Sequence, residues 1–124
     1  MVDFKQKEKY DINDLLEIMR LLRAPGGCPW DAQQTHMSIR KNLIEETYEV
    51  IEAIDKDDKE LMTEELGDLL MQVVFHAQME QEAGNFDFGD VTDGVCKKLI
   101  ERHPHVFGEV EVSGVGDVLN NWDA

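Results

Sequence analysis

Two acid pairs constrain this chain more than anything else in it. Glu46 and Glu49 are three residues apart, as are Glu65 and Asp68. Each pair lies in a stretch of helical periodicity and so projects from one helical face. Glu45 adds a carboxylate four residues before Glu49. If the two helices pack antiparallel, four or five negative charges converge on a small volume, which requires a cation. Hard carboxylate oxygens of this kind suit Mg²⁺ or Mn²⁺.

The second pair carries more weight than the first. A Glu-rich helix face is ordinarily a solvated stripe, and Glu45, Glu49 and Glu52 alone would read that way. Glu65 and Asp68 instead sit among Leu66, Leu69, Leu70, Met71, Val73, Val74 and Phe75. Apolar residues on nearly every side are the pattern of a buried helix. Charges there need a partner or a metal, and few cationic residues are near in sequence. The expected metal ligands are Glu46, Glu49, Glu65 and Asp68.

The overall charge agrees with this reading. The chain has 124 residues, one domain's worth, and its 27 acidic against 12 basic residues give a net charge of −15. That charge opposes binding to nucleic acid or to an anionic membrane, and an acidic protein that handles phosphates needs divalent ions. No apolar run approaches a membrane span, and Met1–Tyr10 lacks the apolar core of a signal peptide. The expected location is cytoplasmic. Cys28 and Cys96 stand far apart and outside any Cys-x-x-Cys pair, so both are expected to be reduced.

The periodicity predicts an all-α fold, an antiparallel bundle of four main helices. Asp11 or Asn13 caps the first, which runs to about Arg23 with Ile12, Leu15, Leu16, Met19 and Leu22 inward, and Ala24-Pro25-Gly26-Gly27 ends it. The connection from Cys28 to His36 is long for a bundle and carries Trp30, either a plug for the bundle's end or a contact for a substrate base. The second helix spans roughly Met37–Ile54, with Leu43, Ile44, Thr47, Val50, Ile51 and Ile54 on one side and Glu46 near the boundary. The turn Asp55–Asp58 makes the third helix, roughly Lys59–Ala83, its antiparallel neighbour. Gly67 in that helix either admits another backbone or is simply tolerated. Gln72 and His76 continue the stripe of acids. The fourth helix spans about Val91–Arg102, with Val95, Leu99 and Ile100 inward, and stops at His103-Pro104. Lys98 and Arg102, one turn apart, are the best anion-binding pair, though cations near a helix carboxyl end are favoured by the dipole in any case. A helix-like start at Asp117–Ala124 ends abruptly, as in a shortened chain.

Together these segments resemble the MazG family of nucleoside triphosphate pyrophosphohydrolases, whose signature is Glu-Glu-x-x-Glu, a spacer, then Glu-x-x-Asp. Here it is Glu45, Glu46, Glu49, Glu65 and Asp68, and the likeness runs from Leu15 to Trp122 through GCPWDAQQTH, ELGDLLMQVVFHAQ, GNFDF and KKLIERHPHVFG. The resemblance implies a bundle completed by a homodimer or a dimer of dimers, required Mg²⁺, and cleavage of a nucleoside triphosphate to the monophosphate and pyrophosphate. It implies Glu45, Glu46 and Glu49 as catalytic residues, with Glu45 aligning or deprotonating the attacking water, and Lys98 and Arg102 as phosphate holders. Trp30 and Trp122 complete the expected substrate-binding set. The CPWD loop resembles the amino-terminal domain of longer, two-domain members. The expectation is therefore one domain over residues 1–124 with its core at 10–122, as a stand-alone form or one half of a longer chain.

Three other readings compete. A non-catalytic nucleotide-binding or oligomerisation module of the same fold would leave the acids as relics, although all five are intact. Phosphoribosyl-ATP pyrophosphohydrolase would use the same metal chemistry on another substrate. A di-iron carboxylate bundle needs Glu-x-x-His, and none of the four histidines follows a glutamate at that spacing.

Overall fold

The computed structural model describes residues 1–108, 114–116 and 119. Trp122 and, Leu119 apart, the helix start expected from Asp117 lie outside them. Among the described residues the elements are α-helices in the order α1 (Ile12–Arg23), α2 (Pro29–Gln33), α3 (His36–Asp55), α4 (Lys59–Glu82), α5 (Phe88–Arg102) and α6 (Pro104–Phe107). The chain divides into two compact units, Met1–Phe88 and Gly89–Ala124. No helix among the described residues is long and apolar enough to cross a membrane, and Cys28 and Cys96 are both free.

In the first unit, local chemistry sets the helix ends. Asp14 N donates to Asp11 Oδ1 at 3.1 Å while Asp11 N donates to Asp14 Oδ2 at 2.9 Å, a reciprocal capping box that starts α1. The Lys7 ammonium adds a 2.7 Å bond to the buried Asp14. At the far end the chain folds back so tightly that a Cβ on Gly27 would stand 2.1 Å from the Leu21 carbonyl oxygen; only glycine fits. The expected loop after Cys28 contains the short α2, opened by Pro29 at its first position, where a missing N–H costs nothing. Thr35 and Ser38 cap α3 reciprocally, so it begins at His36, one residue earlier than expected.

The α3–α4 turn leaves Asp57 in the left-handed region at φ 50° and uses Asp58 to cap α4. So short a turn makes the two helices antiparallel neighbours. Ile39, Val50 and Ala53 are buried on α3, with Leu43 and Glu46 half-buried between them. On α4 the matching stripe is Glu65, Asp68, Gln72, Phe75 and Met79, all buried except the half-buried Asp68. Steps alternating between three and four are the seam spacing of paired helices. The acids thus occupy seam positions that would ordinarily be apolar.

This corrects two expectations. Ile44, Thr47, Ile51 and Ile54, placed inward from sequence, are exposed, because α3 carries two apolar stripes and α4 packs on the one that contains Glu46. Nor is α4 buried all round: Leu66, Leu70, Met71 and Val73 are exposed. One side of α4 meets α3, and the core it shares with α1 is confined to Val74, Phe75 and Met79 against Met19, Leu15 and Leu16.

Helix α5 begins at Phe88, the last residue of the first unit and earlier than the expected Val91, and ends at Arg102 before His103-Pro104 as expected. Val95, Leu99 and Ile100, expected inward, are exposed. The described part of the second unit also holds the four-residue α6 and helical residues at Val115, Gly116 and Leu119.

Candidate metal centre

The seam geometry gathers three carboxylates. One oxygen each from Glu46, Glu65 and Asp68 lie within 4.8 Å of one another. A divalent cation bound at roughly 2.0–2.6 Å from each oxygen bridges separations of that order. Glu65 is only 9% exposed, and Glu46 Oε2 is buried without a hydrogen-bond partner. Among the described residues, no lysine or arginine forms an ion pair with any of the three.

The cost of this arrangement appears in the acidities. Burial pushes the Glu46 carboxyl up from its ordinary value, reinforced by the charges of Asp68 and Glu49 and opposed by a hydrogen bond with Glu65. Burial pushes Glu65 up as well, reinforced by Asp68, Glu49 and Glu46. Each side chain resists ionising because its neighbours already carry charge. A buried, unpartnered oxygen inside such a cluster fits a hard divalent ion, which would supply the missing positive charge.

The remaining candidates are placed differently. Glu49, one turn past Glu46, is exposed and outside the close trio, yet its charge acts on both Glu46 and Glu65. Glu45 is exposed and faces Lys41 at 3.6 Å. Trp30 in α2 is 54% exposed, so it is not the expected plug among the described residues, and its carbonyl accepts a bond from Gln34 Nε2. Lys98 and Arg102 lie one turn apart on α5 in the second unit, with Arg102 Nε buried and unpartnered. Gly67 has open space where a Cβ would stand, so close approach within this chain does not explain it. Gln72 continues the polar seam beyond Asp68, buried and with Oε1 unpartnered.

Sequence reasoning missed Arg23 as an organising residue. Its side chain is nearly buried and bonds to Glu82 and to the carbonyls of Asp31 and Gln34. A lone arginine at a helix carboxyl end looks like a dipole partner, and nothing local in the sequence announces the rest.

Comparison with known proteins places this geometry in a lineage. Residues 34–107 match the family described as the MazG nucleotide pyrophosphohydrolase domain, a span that contains all the motif acids. The chain is 56% identical over 96 residues to the nucleoside triphosphate pyrophosphohydrolase/pyrophosphatase MazG of Thermotoga maritima, covering 77% of this chain and 38% of that protein. It is 50% identical over 113 residues to the nucleoside triphosphate pyrophosphohydrolase of Escherichia coli K12, covering 90% and 43% respectively. An uncharacterised Bacillus subtilis protein, YabN, is 48% identical over 92% of this chain and 23% of its own length. The chain thus spans less than half the length of these relatives. The crystal structure of a mazG-related protein from Thermotoga maritima superposes with a TM-score of 0.73 at 30% identity, covering 90% of this chain and 96% of that one. The chain belongs to the MazG nucleotide pyrophosphohydrolase domain family.

Proposed function

We propose that the chain hydrolyses nucleoside triphosphates, canonical or altered, to the monophosphate and pyrophosphate with Mg²⁺, Mn²⁺ substituting, in cytoplasmic housecleaning of the nucleotide pool. The observation that carries this reading is the seam trio Glu46, Glu65 and Asp68 with its unpartnered buried oxygen, in a chain of this family. The names of its relatives support the substrate class.

Glu46, Glu49, Glu65 and Asp68 would hold the metal. When bound, the ion offsets charge on the triphosphate oxygens and lowers the pKa of a coordinated water. Glu45 is the residue we assign to aligning or deprotonating the attacking water, since it projects beside Glu49 from the same helix and stays solvated. Lys98 and Arg102 take the phosphates, where an arginine fork and a lysine point charge suit anionic oxygens. Trp30 and Trp122 are assigned to stacking on the base.

We further propose a homodimer or a dimer of dimers. Ile44, Tyr48 and Ile51 on α3 and Leu66, Leu70 and Val73 on α4 form exposed apolar stripes at helical spacing, and such stripes ordinarily find cover.

The decisive experiment is product analysis after incubation with a panel of nucleoside triphosphates and Mg²⁺. Pyrophosphate and monophosphate are expected. Release of orthophosphate alone rejects the assignment, and no turnover on any nucleotide favours the non-catalytic module.

A further inference from the structure

Three side chains lock the end of the α3–α4 seam remote from the acids. His36, the first residue of α3, holds Nδ1 2.7 Å from Nδ1 of His76 and Nε2 2.8 Å from Oε1 of Glu80. Glu80 is held in turn by Asn85 Nδ2 at 2.9 Å. The imidazole planes are 3° from parallel with centroids 4.9 Å apart. Face-to-face rings need about 3.5 Å between their planes, which a 2.7 Å contact does not allow. The rings therefore lie edge to edge, with the two Nδ1 atoms facing each other.

Such a contact holds only with a single proton between the nitrogens, since two N–H groups repel and so do two lone pairs. His36 Nε2, facing a carboxylate, is an N–H donor. Two states then fit. In the neutral pair His76 Nδ1 donates to His36; in the singly charged pair His36 donates both to His76 and to Glu80. A second charge would set N–H against N–H. We propose that His36, His76 and Glu80 form a pH-sensitive latch that accommodates one positive charge, and that a second releases the first turn of α3, with the Pro29–Gln33 segment, from α4.

The surroundings leave the pair to govern itself. Charged groups carried near the pair include Glu80 and Glu82 of α4, Arg23 of α1, Asp31 of α2 and, one turn along α3, Arg40. Arg23 and Glu82 pair with each other, and only Glu80 bonds to either ring. Burial and then the His36 charge push the His76 imidazole down from its ordinary 6.5. Asn85 and His36 hold the Glu80 carboxyl below its usual range, so it stays ionised while His76 titrates. The folded state thus withholds protons from His76. The latch contributes fully above the unfolded value and is lost as pH falls through the depressed folded one.

Hydrogen exchange of the full chain with Mg²⁺, between about pH 7.5 and about pH 5.5, tests this. Protection factors across residues 29–39 should fall by about tenfold, while those of the Val74–Met79 core hold. Tm should drop by roughly 4 °C more in the wild type than in His76→Gln, which can bond His36 without charging. Unchanged protection in residues 29–39, or the same pH profile in variant and wild type, overturns the latch. If His76→Gln fails to fold, ¹⁵N-imidazole titration of the wild type decides. Coupled titration with the second proton taken up below the ordinary range supports the latch, and two independent titrations near the ordinary value reject it.

Discussion

Arg23 and Glu82 meet at two points, Nε to Oε2 at 2.8 Å and Nη2 to Oε1 at 3.1 Å, across 59 residues of sequence. The remaining Nη1 donates to the Asp31 carbonyl at 2.6 Å and the Gln34 carbonyl at 3.1 Å, and the guanidinium carbon sits 5.5 Å from the centre of the Phe75 ring. One side chain thus ties α1 to the last turn of α4 and to the segment leading into α3. Arg23→Ala should destabilise the protein by about 2 kcal/mol, since it strands two carbonyls and removes charge-assisted bonds. Arg23→Lys should recover little of this, because a single ammonium does not reproduce the planar fork. Urea denaturation measures both, and a lysine variant as stable as wild type would show that the fork geometry is immaterial.

The crowding of Glu46, Glu65 and Asp68 carries a cost to the fold, and on the proposed function Glu46→Gln should separate that cost from turnover. Removing one of three crowded charges relieves repulsion in the metal-free protein, so Tm without divalent ions should rise. Turnover should fall by about 100-fold or more with loss of a ligand, and added Mg²⁺ should stabilise the variant less than wild type. Scanning calorimetry with and without Mg²⁺ checks this. A variant less stable than wild type without metal would mean that Glu46 has a partner the seam geometry does not show.

Much of this layout was readable before any coordinates. The acidic turn at Asp55–Asp58 and the stop at His103-Pro104 are local signals that local rules predicted, and of the two expected caps for α1, Asp11 and Asn13, the structure uses Asp11. The facing of α3 was not readable, because Ile39, Val50 and Ala53 form one apolar stripe while Ile44, Tyr48 and Ile51 form another, and periodicity alone does not say which one α4 covers. The same ambiguity made Leu66 and Leu70 look buried. Sequence reasoning missed Pro29 at a first helical position and Thr35 ahead of Ser38, the signals that start α2 and α3. The His36–His76 contact and the reach of Arg23 join residues distant in sequence, so no motif encodes them.

Proton uptake at the acids should also shape stability in the absence of metal. Glu46 and Glu65 both have folded values raised above the ordinary 4.5, so between the two values the folded state binds more protons than the unfolded one. Their contribution to stability is therefore most favourable at acid pH and is lost as pH rises through the raised folded values. His76 works in the opposite direction, so the difference between wild type and Glu65→Gln isolates the acid term. That difference should widen in the variant's favour as pH rises. Metal competes with these protons, so stabilisation by Mg²⁺ should shrink from about pH 8 to about pH 5. Metal stabilisation independent of pH would remove Glu46 and Glu65 from the ligand set.

Self-association is the outcome expected from what the described residues leave uncovered. Tyr48 is 67% exposed and Leu66 48%, and each lies in an apolar stripe on a helix of the seam pair. Stripes of this length on adjoining helices are unfavourable in water at about 25 cal/mol per Å² of apolar surface. Against association stands the net charge of −15. Salt screens that repulsion beyond about 10 Å at 0.1 M, and the proposed divalent ions at the acids would remove part of it, so apolar burial should win. Sedimentation in moderate salt with Mg²⁺ should show a dimer or tetramer, and Leu70→Lys, which sets a charge in the exposed stripe without touching the acids, should shift it toward monomer. A wild-type monomer at micromolar concentration that still hydrolyses triphosphates would confine the active site to one chain.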